Sequence, residues 1–365
     1  MKVKVASIIA FRNVENVTFT AKKLNLITGN NMKGKTNTLN AIMWCLCGVD
    51  LLGANDNSLN IPKGKNEAKV RLEFDNGTIE RIAIRNDDEV NTKVIINGEE
   101  LGSKIAESKI DELLGISNLA QYDTPKVKAR RLLLNPSYYR SIATKDLRNW
   151  LIKVLFGSVS ESQIIKQSNL NEKVKKLLLN ELNEISVADL SKVCSDNIKS
   201  IKEELKEKKI IKDFLISKTI VAYNDEIANE EKSLKQSLLK YSEMQVAVEE
   251  AATELSKFYA SVLKNRTLDI VLLEKGKDDD SYKEVCYPRL MNYMPIQNGS
   301  TAEVIVVSNV FINTIEILTN TNTLPKLIDE GETLDEQMLE LLSESSSQLI
   351  ISRVEFERQE GVKIR

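Results

Sequence analysis

Eight residues constrain this chain more than any others. Gly29-Asn30-Asn31-Met32-Lys33-Gly34-Lys35-Thr36 joins two stretches of different periodicity. The preceding "LNLITG" is a short apolar run of strand type. The following "TNTLNAIMWCLCG" has helical spacing and stops at Gly48. A strand, a glycine-punctuated loop and a helix commit the region to a mixed α/β fold. The loop fits G-x-x-x-x-G-K-[ST] at every fixed position. Its glycines let the backbone curl so that successive N–H groups point at phosphate oxygens. The helix start adds a positive end. In this pattern Lys35 reaches the β- and γ-phosphates and the Thr36 hydroxyl ligates Mg²⁺.

The rest of residues 1–157 has strand character. "VKVASIIAF" and "VENVTFT" alternate, and "AKVRLEFDNGTIERIAIR" reads as a hairpin turning at Asp75-Asn76-Gly77, with a similar device at Asn97-Gly98. From Ser158 to Lys275 there is neither Gly nor Pro. These 118 residues, rich in Lys, Glu, Leu and Ile, are expected to be helical throughout. Within them Ile227, Leu234, Tyr241, Val248, Leu255 and Val262 recur every seven residues, with Leu238, Met244, Ala251 and Phe258 between them. That is a coiled-coil seam. Leu190, Cys194, Ile198, Ile201 and Leu205 supply a partner stripe, so two antiparallel arms are expected to reverse near residues 217–226. The reading divides the chain into a first lobe at 1–157, a helical coiled-coil insertion at 158–265 and a second lobe at 266–365. In the last, "AEVIVVSNVFINTIEIL" is a helix, and "LPKLIDE" and "SQLIISRV" are strands.

Composition narrows the chemistry. There is no histidine, so the commonest general base and zinc ligand are missing. Work must rest on carboxylates, Lys, Arg, hydroxyls and backbone. The four cysteines show no C-x-x-C spacing, as reduced cysteines of a cytoplasmic protein would. No apolar run reaches the roughly 18 residues that span a bilayer, and no membrane partner is expected. Net charge is −2, so a nucleic-acid surface would have to be local. The segment from Lys126 to Lys153 is the candidate. It holds Lys126, Lys128, Arg130, Arg131, Arg140, Lys145, Arg148 and Lys153 against one acid, Asp146, with Tyr138, Tyr139 and Trp150 interleaved.

Far along the chain, "LPKLIDEGETLDE" is an apolar strand ending in Asp329-Glu330. A carboxylate at a strand end beside a phosphate loop can hold Mg²⁺, and its neighbour can polarise an attacking water.

The combination of an N-terminal G-N-N-M-K-G-K-T-N, an antiparallel lobe, a coiled-coil insertion and a late L-I-D-E-G-E-T-L-D resembles the SMC-like ATPases of the ABC class, with SbcC-type and RecF-like proteins, including phage homologues, nearby. The resemblance implies an α/β ABC-type ATPase head built from both chain ends, with ATP and Mg²⁺ as ligands. It implies that Gly29, Asn30, Asn31, Gly34, Lys35, Thr36 and Asn37 cradle the nucleotide and that Arg12 and Asn13 approach it. Thr36 and Asp329 would hold the metal, Glu330 would act as base, and Asp335 would face a partner subunit. The family's signature segment is matched by Gln297-Asn298-Gly299-Ser300. Ser300-x-x-Glu303 there also has the form of a helix capping box. Gln121 is matched to a metal-sensing glutamine. The family's switch histidine is replaced near Ser352 and Arg353, and the zinc hook of long-armed relatives is missing.

Two functions follow as expectations. One is an ATPase that forms an ATP-dependent homodimer and acts on DNA in repair, recombination or replication, beside a separate nuclease. The other is an ATP-dependent scaffold with residual hydrolysis and a protein cargo.

Overall fold

The computed structural model describes residues 1–365 apart from 88, 158, 218–223, 264–269, 277–280, 289–295, 347, 355–362 and 365. The chain opens with β1 (Val3–Phe11), β2 (Val14–Thr20), β3 (Leu24–Gly29) and α1 (Lys35–Cys47). Then come β4 (Glu67–Phe74), β5 (Gly77–Asn86), β6 (Glu89–Ile96) and β7 (Glu99–Leu101). Helices α2 (Ser103–Leu114), α3 (Ser117–Ala120), α4 (Ala129–Leu134) and α5 (Thr144–Phe156) follow. Next are α6 (Glu161–Gln167), α7 (Glu172–Leu179), α8 (Val187–Ser217), α9 (Asn224–Leu263), β8 (Ile270–Lys275) and β9 (Tyr282–Pro288). The chain closes with α10 (Thr301–Thr319), β10 (Lys326–Ile328), α11 (Glu336–Ser345), β11 (Leu349–Val354) and β12 (Lys363–Ile364).

Two compact units result. The first joins Met1–Gly157 to Pro288–Arg365, and the second is Ser158–Tyr287. In the first, β2-β1-β4-β5-β6-β7 form an antiparallel sheet. Alternation buries Ala6, Ile8, Val70 and Leu72 on one face. A second sheet has the order β10-β11-β3-β12. Its β10, β11 and β3 run parallel, with Leu327 opposite Ile350 and Ile351 opposite Leu26. These strands are nearly continuous in apolar character, as parallel strands covered on both faces should be. Helix α1 touches strands of both sheets. Ten of its residues, from Lys35 to Leu46, are buried, which explains why it carries no polar stripe. Trp44 stacks near Phe11 with ring centroids 5.5 Å apart. Gly48 ends the helix at φ 70, as a left-handed cap.

Helix α10 is apolar enough by length and composition to cross a membrane. Here Val304, Ile305, Phe311, Ile312 and Ile315 are buried in the protein. Its Glu316 accepts a 2.6 Å bond from Lys326 of β10, with the two side chains 3% and 0% exposed. Burial raises the Glu316 carboxyl and lowers the Lys326 ammonium, and the ion pair opposes both shifts.

In the second unit α8 and α9 form an antiparallel pair. Lys208 meets Glu230, and Lys212 meets Glu231 at 3.6 Å. Cys194, Ile201, Met244, Val248, Ala251 and Leu255 are buried between neighbours, whereas Leu234, Leu238, Tyr241 and Phe258 are only half-buried. At 1.5 Å per residue the 31-residue α8 is about 47 Å long. Most of the expected reversal, 218–223, and the Val262 side chain lie outside the described residues.

Two expectations need correction. The stretch from Ser158 to Lys275 is not wholly helical, because Ile270–Lys275 is a strand paired with β9. Its Ile-Val-Leu-Leu sequence is strand-forming, and absence of Gly and Pro does not forbid a strand. The insertion also runs past 265. The β8–β9 hairpin packs on α9, and the Tyr282 N–H donates to the Ser191 hydroxyl at 2.8 Å, so the chain re-enters the first unit at Pro288 rather than at 266.

Candidate active site

The loop after β3 turns through φ 152 at Gly29, 63 at Met32 and 94 at Gly34. Gly34 is required for space as well. A Cβ there would stand 3.0 Å from Asn13 Oδ1 and 3.2 Å from Val14 Cγ2. Asn13 itself bridges the site. Its amide donates to the Met32 carbonyl at 3.1 Å and its oxygen accepts from Asn37 at 2.7 Å. Lys35 is 8% exposed, and its ammonium donates to the Asn30 carbonyl at 2.7 Å. Among the described residues α1 has no acid in its first turn to compete for its N–H groups.

Asp329 and Glu330 arrive from the other end of the chain. Asp329 follows β10 and accepts from the Thr36 hydroxyl at 3.1 Å and also from the Ser352 hydroxyl. Glu330 is exposed and held at φ 59, a left-handed conformation costly for a residue with a side chain. The Thr333 amide and hydroxyl fix its carbonyl, at 3.0 and 2.9 Å. Asn13, Asn31, Gly34, Lys35, Thr36, Asn37, Asp329 and Glu330 line one hollow of about 280 Å³, together with Glu332 and Ser352. A second hollow of about 480 Å³ also takes in Thr36, Asp329 and Glu330 and extends to Arg12, Asp50, Tyr138, Arg140 and Thr301.

Arg12 lines the second hollow and donates to Asn37 at 3.5 Å. It also donates to Asp50 at 3.0 Å and Asn60 at 3.1 Å. Asp50 and Asn60 belong to no motif, so only the structure shows that they hold Arg12. Gln121 lines neither hollow, and its amide donates to the Asn118 carbonyl at 2.6 Å. Gln297, Asn298, Gly299, Ser300 and Asp335 also lie outside both. Gln297 donates to the Ile142 carbonyl and accepts from Thr144 at 3.3 Å. Ser300 and Glu303 form the reciprocal capping box of α10, and Asp335 caps α11 through the Met338 amide at 2.7 Å.

The basic run from Lys126 to Lys153 is not a single surface strip. Arg130 and Arg148 are 7% and 2% exposed, and Tyr139 and Trp150 are core. Lys126 and Lys128 remain exposed but pair with Asp146 and Asp123, at 3.1 and 3.6 Å. Arg130, Arg148, Tyr139 and Trp150 therefore offer no surface for phosphate contact, whereas Arg140, Lys145 and Lys153 stay exposed.

The donor set near Thr36 suits Mg²⁺. A hydroxyl and a carboxylate are hard oxygen donors. Among the described residues no cluster of three or more Asp, Glu, Cys or His forms an all-protein metal cage. Mg²⁺ is commonly held by one or two protein oxygens together with substrate phosphates.

A family model described as "AAA domain" matches residues 2–260. The chain belongs to the AAA domain family. The chain is similar to "DNA replication and repair protein RecF" of Clostridium acetobutylicum, 28% identical over 194 residues, which are 52% of this chain and 50% of that protein. The protein of that name from Clostridium perfringens is 26% identical over 191 residues, 48% of each chain. The chain thus spans about half the length of the curated relatives it matches. Solved structures that align with this AAA-domain chain include the Pyrococcus furiosus Smc head domain with an extended coiled coil bound to the C-terminal domain of ScpA, at 16% identity, TM-score 0.46, 97% of this chain and 89% of that one. RecF with ATP aligns at 19% identity and TM-score 0.40, over 98% of this chain and 94% of that one. The SMC-like and RecF-like resemblance read from the two motifs accords with the family match and the RecF relatives.

Proposed function

We propose that this chain binds Mg-ATP in the loop hollow, hydrolyses it, closes as a homodimer around two ATPs, and acts on DNA in repair, recombination or replication beside a separate nuclease. The observation that carries the reading is the meeting of Thr36 with Asp329, 293 residues apart, at the mouth of the phosphate loop. On ATP binding, Lys35 would exchange the Asn30 carbonyl for phosphate oxygens. The loop N–H groups, Gly29 to Thr36, would take the remaining phosphate charge. Thr36 and Asp329 would hold Mg²⁺, which when bound neutralises charge on the β- and γ-phosphates. Glu330 would orient the attacking water and accept its proton. Gln297 to Ser300 and Asp335, outside this head's own hollow, would then serve the nucleotide of a second head. The RecF relatives, named for DNA replication and repair, support the DNA assignment.

A second reading is an ATP-held scaffold with residual hydrolysis and a protein cargo. It is favoured by the Gln297 side chain being engaged within its own head and by the burial of Arg130 and Arg148. Steady-state hydrolysis with and without DNA separates the two, since stimulation by DNA favours the first.

Lys35→Ala is expected to weaken binding of a fluorescent ATP analogue about 10- to 150-fold, the loss of a charge-assisted bond of roughly 1.5–3 kcal/mol. Unchanged affinity in a direct titration would remove the site assignment.

A further inference from the structure

We propose that Ser352 is a positioning residue for the metal carboxylate, and that β11 sets the cation affinity of the nucleotide site. The inference rests on the nucleotide reading above. Two independent contacts converge on this residue. Its hydroxyl donates to Asp329 Oδ1, the same oxygen that accepts from Thr36. Its carbonyl lies close against the next turn of chain, since a Cβ on Gly331 would stand 2.7 Å from Ser352 O and 2.3 Å from Ile351 Cγ2. Only glycine lets the Asp329-Glu330-Gly331 corner lie this close to β11. Ser352 is 3% exposed on a strand that pairs along its length with β3, so its hydroxyl has little access to water and Asp329 is its partner. The neighbouring Arg353 falls on the other face of the pleat. Ser352 therefore holds one carboxylate oxygen of Asp329 and fixes the plane of the group. The other oxygen is directed by that plane.

The hollow sharpens the consequence. Asp329, Glu330 and Glu332 share this hollow with Lys35, the one cationic side chain among its described lining residues. ATP brings further negative charge, so nucleotide binding should depend strongly on Mg²⁺, and the orientation of Asp329 should set how much Mg²⁺ is needed. Removing an outer hydrogen-bond partner of a metal ligand typically lowers metal affinity about 10- to 100-fold.

The test is a titration of the full chain with a fluorescent ATP analogue, over a series of Mg²⁺ concentrations and again in EDTA. Ser352→Ala is expected to raise the Mg²⁺ concentration for half-maximal binding at least about tenfold, while affinity in EDTA stays at the native value. Ser352→Cys, which keeps the side chain's shape but donates weakly, is expected to fall between the two. An unchanged Mg²⁺ requirement would overturn the proposal. So would an equal loss of affinity with and without Mg²⁺, since that marks a packing defect. Lys35→Ala, which should lose affinity under both conditions, separates failure of the Ser352 inference from failure of the nucleotide reading.

Discussion

Glu330→Gln should hydrolyse ATP about 10² to 10⁴ times more slowly than the native chain, the usual contribution of a positioned general base. Nucleotide affinity should not fall. Lys35, Thr36 and Asp329 carry the phosphate and metal contacts, and Glu330 makes none of the hydrogen bonds that shape the loop. Its side chain is exposed and its backbone is fixed by Thr333. Glutamine keeps the size and leaves the left-handed backbone equally strained, so the comparison isolates the charge. An amide cannot accept the proton of the attacking water. With cleavage blocked, two heads should persist as a closed dimer in Mg-ATP, seen as a doubled mass by light scattering. Native hydrolysis in the variant would show that Glu330 is not the base. A variant and a native chain that both stay monomeric at saturating ATP would remove the two-head arrangement.

Arg130→Ala should destabilise the fold by about 3–5 kcal/mol, the range for breaking a buried ion pair from one side. Arg130 uses its whole guanidinium. It donates to Asp111 at 2.6 and 2.9 Å, to the Glu107 carboxylate at 2.7 Å, and to the carbonyls of Glu107 and Leu46 at 2.8 and 2.6 Å. Those bonds tie the end of α1 to α2 and α4. Burial pushes the Asp111 carboxyl up even beside the arginine. At Glu107 burial also acts upward, but Arg130 and Arg81 outweigh it and hold the carboxyl below its ordinary value. Among the described residues, loss of Arg130 leaves Asp111 with no cation bonded to it and Glu107 with Arg81 alone. At roughly 2–4 °C per kcal/mol for a unit of this size, the thermal midpoint should drop by about 10 °C. A shift under 2 °C in scanning calorimetry would contradict the burial argument. A DNA-binding experiment that neutralises Arg130 would therefore report folding rather than contact.

What could be read in advance was what is encoded locally. The loop motif, helix α1, the Asp329-Glu330 corner and the long helices announce themselves through spacing within a few residues. The basic run misled because a sequence counts charges without showing their partners. Glu107 and Asp111 lie 23 and 19 residues before Arg130, on a helix with its own amphipathic logic. Strand β8 is hidden by the same absence of Gly and Pro that marks the helices before it. Gln121 rests on the family resemblance alone, and nothing local reveals that its amide turns back on Asn118. Gly331 did carry a signal. A glycine directly after paired acids at a strand end suggests close backbone approach, and the approach is to β11.

The order of strands in the parallel sheet has a consequence for how the protein is made. β3 is flanked by β11 and β12, and both come from the far end of the chain. The Asn25 amide bonds the Leu349 carbonyl across 324 residues. At about 5–20 residues per second, the ribosome needs roughly 16 to 65 seconds to supply that partner. Throughout that interval an apolar strand has both hydrogen-bonding edges vacant while the antiparallel sheet beside it can already pair from neighbouring hairpins. The nascent chain must keep β3 from foreign strands, and the long helical insertion, synthesised in the meantime, lengthens the wait.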